Sequence, residues 1–121
     1  MKQNTTPFPG VPIRVLPADD DSDERFDFDE VLKEIPIPTY LATVEDGEKL
    51  MTYLSANSEK LPHVLFLDLN MPKKNGFECL SEINSNEKLN RFPIIIYSTS
   101  TNNYGADLLY SSGAYYYIRK T

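Results

Sequence analysis

Acidic, hydroxyl and ammonium side chains follow four short apolar runs in this 121-residue chain. Ile13-Arg14-Val15-Leu16 leads to Asp19-Asp20-Asp21, Val64–Leu67 to Asp68, Ile94–Tyr97 to Ser98-Thr99-Ser100, and Ala114–Ile118 to Arg119-Lys120. Taken singly, each is ordinary: an acid or serine after a strand is commonly a turn or a helix cap. Together they form the set that phosphoryl transfer to a carboxylate requires. The acceptor carboxylate and the donor phosphate are both negative, so a cation must stand between them. Mg²⁺ takes one or two carboxylates plus phosphate oxygens and water. Asp19 or Asp20, with Asp68, supplies the carboxylates. A hydroxyl and an ammonium can then bind the remaining phosphoryl oxygens. An aspartyl phosphate is an established kind of covalent intermediate.

These groups meet only if the runs are strands of one parallel sheet. A fifth run, Thr39–Val44, shares their length and their content of β-branched and aromatic residues. Helix-period segments separate the runs. Phe28, Val31, Leu32 and Ile35 follow i, i+3, i+4, i+7, which predicts one inward stripe. Asp21 with Glu24 has the spacing of a capping box at the start of that helix, and Pro36 ends it. Gly47–Ser55, Phe77–Ile83 and Tyr104–Ser111 read as three further helices, the last closed by Gly113 as C-cap. The order β-α-β-α-β-α-β-α-β predicts parallel strands with right-handed crossovers. The near-continuous apolar runs Val64–Leu67 and Ile94–Ile96 predict central strands covered on both faces. In such a sheet ligands bind beyond the C-terminal strand ends.

The length fits one domain, and the 40% hydrophobic and 25% charged composition argues against a disordered or fibrous chain. Residues 1–12 (MKQNTTPFPGVP), with three prolines and one glycine, read as a tail, leaving 13–121 as the domain. A formal net charge of -6 argues against a nucleic-acid footprint. One cysteine, Cys79, allows no intrachain disulfide. No apolar run is long enough to span a bilayer and the start lacks a signal-peptide pattern, so no membrane role and a cytoplasmic location are expected. His63, the only histidine, is expected at the start of a strand, at the sheet end opposite the acids.

At these residues the chain resembles the response-regulator receiver family of two-component signalling, from about Ile13 to Lys120. The most specific piece is Val64–Gly76, VLFLDLNMPKKNG: apolar strand, Asp, two residues, Met-Pro, then Gly. The resemblance implies a flavodoxin-like, doubly wound α/β fold with a five-stranded parallel sheet in the order 2-1-3-4-5. It implies that Asp68 is the phosphoacceptor, and that Asp19 and Asp20 position Mg²⁺ or Mn²⁺ together with Asp68 and the backbone carbonyl of Asn70. It makes Ser98 the switch hydroxyl, Lys120 the ammonium that pairs with the phosphoaspartate, and Tyr117 the aromatic that moves with Ser98. Pro72 and Gly76 would shape the loop after the acceptor. The implied donor is a sensor histidine kinase or a phosphotransfer protein, and the implied role is relay rather than turnover catalysis.

The sequence departs from the family pattern at two places. Pro17 lies just before the acids, where the first strand should be central. Proline is expected at sheet edges, so the strand should end at Leu16 or bend, displacing Asp19 and Asp20. The family's fifth helix is also missing after Lys120-Thr121, which predicts a partly uncovered sheet face. The tail with Phe8 and Val11, a second copy of the chain, or a kinase would cover it, unless the sequence is a shortened form of a longer protein. Thr99, bulkier than Ala or Gly, is expected to shield an acyl phosphate from water. Two rival readings fit parts of the same pattern. An aspartate-dependent phosphohydrolase would carry a second acid where Asn70 stands, and Asn cannot exchange the leaving-group proton. A receiver-like adapter that takes no phosphate would keep the fold without the chemistry.

Overall fold

The structure is a computed structural model and describes residues 12–98 and 105–119. Five parallel strands, β1 (Ile13–Ala18), β2 (Thr39–Leu41), β3 (Val64–Leu67), β4 (Ile94–Ser98) and β5 (Tyr116–Arg119), form one sheet in the order β2-β1-β3-β4-β5. Helices α1 (Ser22–Lys33), α2 (Gly47–Ala56), α3 (Gly76–Asn84) and α4 (Gly105–Ser111) connect them. The doubly wound, flavodoxin-like order expected from the sequence is present.

Pro17 does not end the first strand. β1 runs through it in register with β3, Pro17 opposite Phe66 and Ala18 opposite Leu67. The reason lies in which neighbour loses a donor. The Pro17 carbonyl accepts from the Val44 N–H at 3.1 Å, so the edge of residue 17 faces the β2 side. The bond that proline cannot make therefore falls beside the end of the short edge strand, where pairing is already thinning. Toward β3 the ladder continues, with Asp68 N–H donating to the Ala18 carbonyl at 3.0 Å. β2 is correspondingly shorter than expected, and Val44 returns only as an isolated bridge to Ala18. β5 starts later than the apolar run suggested, because the Ala114 N–H is spent on the Leu109 carbonyl at the end of α4. Gly113 takes φ 117° there, as a C-cap glycine should.

The core lies on one side of the sheet. Leu16, Leu65, Leu67 and Ile96 from the strands meet Leu50 and Leu54 of α2, Leu80 and Ile83 of α3, and Leu109 of α4. Along β3 and β4 burial alternates, with Leu65, Leu67, Ile94, Ile96 and Ser98 buried and Val64, Phe66, Ile95 and Tyr97 only half-buried. β3 and β4 thus lie inside the sheet as expected, and among the described residues their two faces are unequally covered. On the second face α1 is the covering helix, and none of its residues is fully buried. Its stripe does touch the sheet: the Phe28 ring lies 5.2 Å from that of Phe66 and edge-on to Tyr97 at 6.0 Å. Val31, however, is 60% exposed. Two adjoining hollows of about 240 and 370 Å³, sharing Phe28, Val31 and Phe66, mark where that face stands open.

Candidate functional site

The C-terminal ends of β1 and β3 place two carboxylates side by side. Asp19 follows Ala18 directly and is buried. Its N–H donates to the Val44 carbonyl at 3.0 Å, its carbonyl accepts from Arg25 Nη1 at 2.7 Å, and its Oδ1 accepts from the Asp21 N–H at 3.0 Å. Asp19 is thus held by the segment carrying Val44 on one side and by the start of α1 on the other. Asp68 ends β3 and is also buried, and its Oδ1 accepts from the Asn70 N–H at 3.2 Å. The close passage of Gly76 confines Asp68 further. A Cβ at Gly76 would stand 2.1 Å from the Asp68 carbonyl oxygen, so only glycine lets α3 begin this near the acceptor loop. Lys73 takes φ 70° in the same loop, and the Asn75–Glu78 capping box then starts α3.

A third carboxylate joins them. One oxygen each of Asp19, Glu24 and Asp68 lie within 4.8 Å of one another. Glu24 escaped the sequence reading because its spacing from Asp21 suggested a capping box. Half of that box forms: Asp21 Oδ1 accepts from the Asp23 and Glu24 N–H groups at 2.9 and 3.3 Å. The return bond would need the Asp21 N–H, which is given to Asp19. The signal that could have found Glu24 is its place four residues before Phe28, on the stripe that faces the sheet. Asp20 is exposed and is not in this group.

Three carboxylate oxygens with no thiol or imidazole form a donor set suited to a hard divalent cation. Ser98, at the end of β4, is fully buried and receives the Asn70 side-chain amide at 3.5 Å. Asn70 therefore links the acceptor loop to the hydroxyl strand. Tyr117 on β5 packs against the core, its N–H donates to the Tyr110 hydroxyl at 3.1 Å, and its own hydroxyl is buried without a partner among the described residues. Lys120 and Thr99, both assigned roles from the sequence, lie outside the described residues. His63 is at the far end of the sheet as expected, where its Nδ1 accepts from the Arg14 N–H at 2.8 Å.

Comparison with known proteins places this geometry. The family model of the response regulator receiver domain matches residues 15–121. The chain is 37% identical over 94 residues to the response regulator Rcp1 of Synechocystis sp., covering 74% of this chain and 63% of that protein. It is 32% identical over 80 residues to the probable methanogenesis regulatory protein FilR2 of Methanothrix harundinacea, covering 64% of this chain and 52% of that protein. It thus spans less than two thirds of the length of either. Among solved structures, the Mn(2+)-bound form of Rcp1 superposes with a TM-score of 0.84 at 32% identity, covering 91% of this chain and 82% of that one. The phosphorylated cyanobacterial phytochrome response regulator RcpA does so with a TM-score of 0.84 at 33% identity, covering 92% and 82%. The family match across nearly the whole chain and the acid-bearing ends of β1 and β3 lead to one conclusion: this chain belongs to the response regulator receiver domain family.

Proposed function

We propose that this domain accepts a phosphoryl group on Asp68 from a histidine kinase or a phosphotransfer protein, with Mg²⁺ or Mn²⁺ beside the reacting carboxylate. The observation that carries the reading is the burial of Asp68 at the end of a central strand, with further carboxylates within 4.8 Å. A carboxylate in that place attacks phosphorus while the bond from phosphorus to the donor nitrogen breaks, and the departing imidazole takes up a proton. The cation, when bound, neutralises charge between acceptor and donor.

The chain's own groups do the rest. Asp19 and Asp68 supply carboxylates from within the acidic group, Asp20 from the exposed residue beside it, and Asn70 its backbone carbonyl. Lys120 pairs with the modified aspartate, and Ser98 binds a phosphoryl oxygen. Movement of Ser98 toward that oxygen changes the space open to Tyr117, and the shifted population alters affinity for a partner. The Tyr117 hydroxyl, buried without a partner among the described residues, supports this role, because such a group favours any state that provides a partner. The domain then relays a signal instead of turning over a substrate. A cytoplasmic setting suits a kinase partner, and among the described residues no helix is long and apolar enough to cross a membrane.

Incubation with acetyl phosphate and Mg²⁺ should yield a hydroxylamine-sensitive label in the peptide that contains Asp68. A label on serine, threonine or histidine, or none at all, would refute the assignment.

A further inference from the structure

None of the residues of α1 is fully buried, yet its Glu24 reaches the carboxylates at the strand ends. Two acids occupy the first turn of α1, Asp23 and Glu24, and either could serve only to complement the helix dipole. They differ in placement. Asp23 is exposed, whereas Glu24 is half-buried and its carboxylate lies within 4.8 Å of those of Asp19 and Asp68. Glu24 also lines the smaller hollow between α1 and the sheet, with Phe28, Phe66, Tyr97 and Ile118.

Resting on the proposal that a cation sits beside Asp68, we infer that Glu24 is a further carboxylate of that centre, and that the bound cation holds the first turn of α1 to the strand ends. Mg²⁺ holds oxygens at about 2.1 Å, so atoms sharing it lie roughly 3 to 4 Å apart. Oxygens within 4.8 Å of one another are close enough to be gathered by one ion. α1 can adjust to such an ion because none of its residues is fully buried. Asp19 and Asp68 are fixed by the strand ladders. The Arg25–Asp19 bond already ties the start of the helix to the same strand end. Occupancy of the cation site would then bear on the shape of the apolar hollow that Glu24 and Phe28 share.

The test is Mn²⁺ binding by calorimetry, with amide hydrogen exchange across α1, on the full chain. Glu24→Gln should weaken Mn²⁺ about 10-fold. Glu24→Asp should fall between it and the parent, and Glu30→Gln, which makes the same change of charge farther along α1, should bind as the parent does. The Glu24 N–H is capped by Asp21, so helix content should be unchanged by circular dichroism. Mn²⁺ should slow exchange in the first turn of α1 in the parent but not in Glu24→Gln. Equal affinity for Glu24→Gln and Glu30→Gln, or α1 exchange indifferent to Mn²⁺, overturns the inference while leaving the centre intact. A parent chain that binds no Mn²⁺, or binds it equally after Asp68→Asn, overturns the centre itself.

Discussion

Tyr117 and His63 each make a residue-scale statement that a single substitution can check. The buried Tyr117 hydroxyl has no partner among the described residues. Removing an unsatisfied buried polar atom while keeping the ring should not cost stability, so Tyr117→Phe should unfold in urea at the parent's midpoint or above, by up to ~1 kcal/mol. A clear loss would mean the hydroxyl is bonded in solution. His63 is held below the ordinary histidine range, first by burial and then by the nearby Arg14 charge. Its Nδ1 accepts the Arg14 N–H, which only the neutral ring can do. The unfolded chain therefore protonates first as pH falls below about 6.5, so the stability His63 contributes is complete above that pH and is lost as pH falls toward the folded value. Titration of this sole histidine by NMR should give a midpoint below 6.5. A midpoint at or above it would contradict the geometry. Cys79 is fully buried and its thiol is pushed up to about 12, chiefly by burial, so it should resist thiol reagents until the chain unfolds.

The acceptor loop gives the sharpest test at the scale of elements. Alanine at position 76 would place a Cβ 2.1 Å from the Asp68 carbonyl oxygen, and backbone must move to admit it. Gly76→Ala should lose about 1 to 3 kcal/mol by denaturant titration and slow modification of Asp68. Parent-like stability and rate would show that the loop has another way to pass α3. The sequence made most of this loop legible, because the residue types that shape it, Asp68, Asn70, Pro72 and Gly76, sit in one continuous segment. Positions built from two segments were harder to read. Pro17 looked like a strand breaker because its effect depends on which neighbour its edge faces, and only the ladder shows that this is β2. Glu24 looked like a capping residue because spacing alone cannot reveal that Asp19 already takes the Asp21 N–H. The stripe of α1 was read correctly as facing the sheet, but periodicity gives the direction of a face and not the depth to which it is buried.

For the molecule as a whole, the two sheet faces are unequal. One is closed by α2, α3 and α4, and the other, among the described residues, is covered by α1 with hollows beside Phe28 and Phe66. Exposed apolar surface of this kind marks an interface. The 121-residue chain should bind an apolar dye and associate with rising concentration in sedimentation. Val31→Glu should suppress both while changing stability by no more than about 0.5 kcal/mol, because residue 31 is already 60% exposed. A monomer at all concentrations that binds no dye would mean the face is closed within the chain. The strand order was legible from five apolar runs and the acids that follow them. That one face would stand partly open was expected, but not from β3 and β4, whose apolar composition does not show which of their side chains the neighbours cover.

The most direct measurement is the intact mass of the chain after incubation with a small phosphodonor, with and without Mg²⁺, for the parent and for Asp68→Asn. The parent should gain the mass of one phosphoryl group only when Mg²⁺ is present, and Asp68→Asn should gain nothing. An unmodified parent, or an Asp68→Asn chain modified to the same extent, would contradict the account.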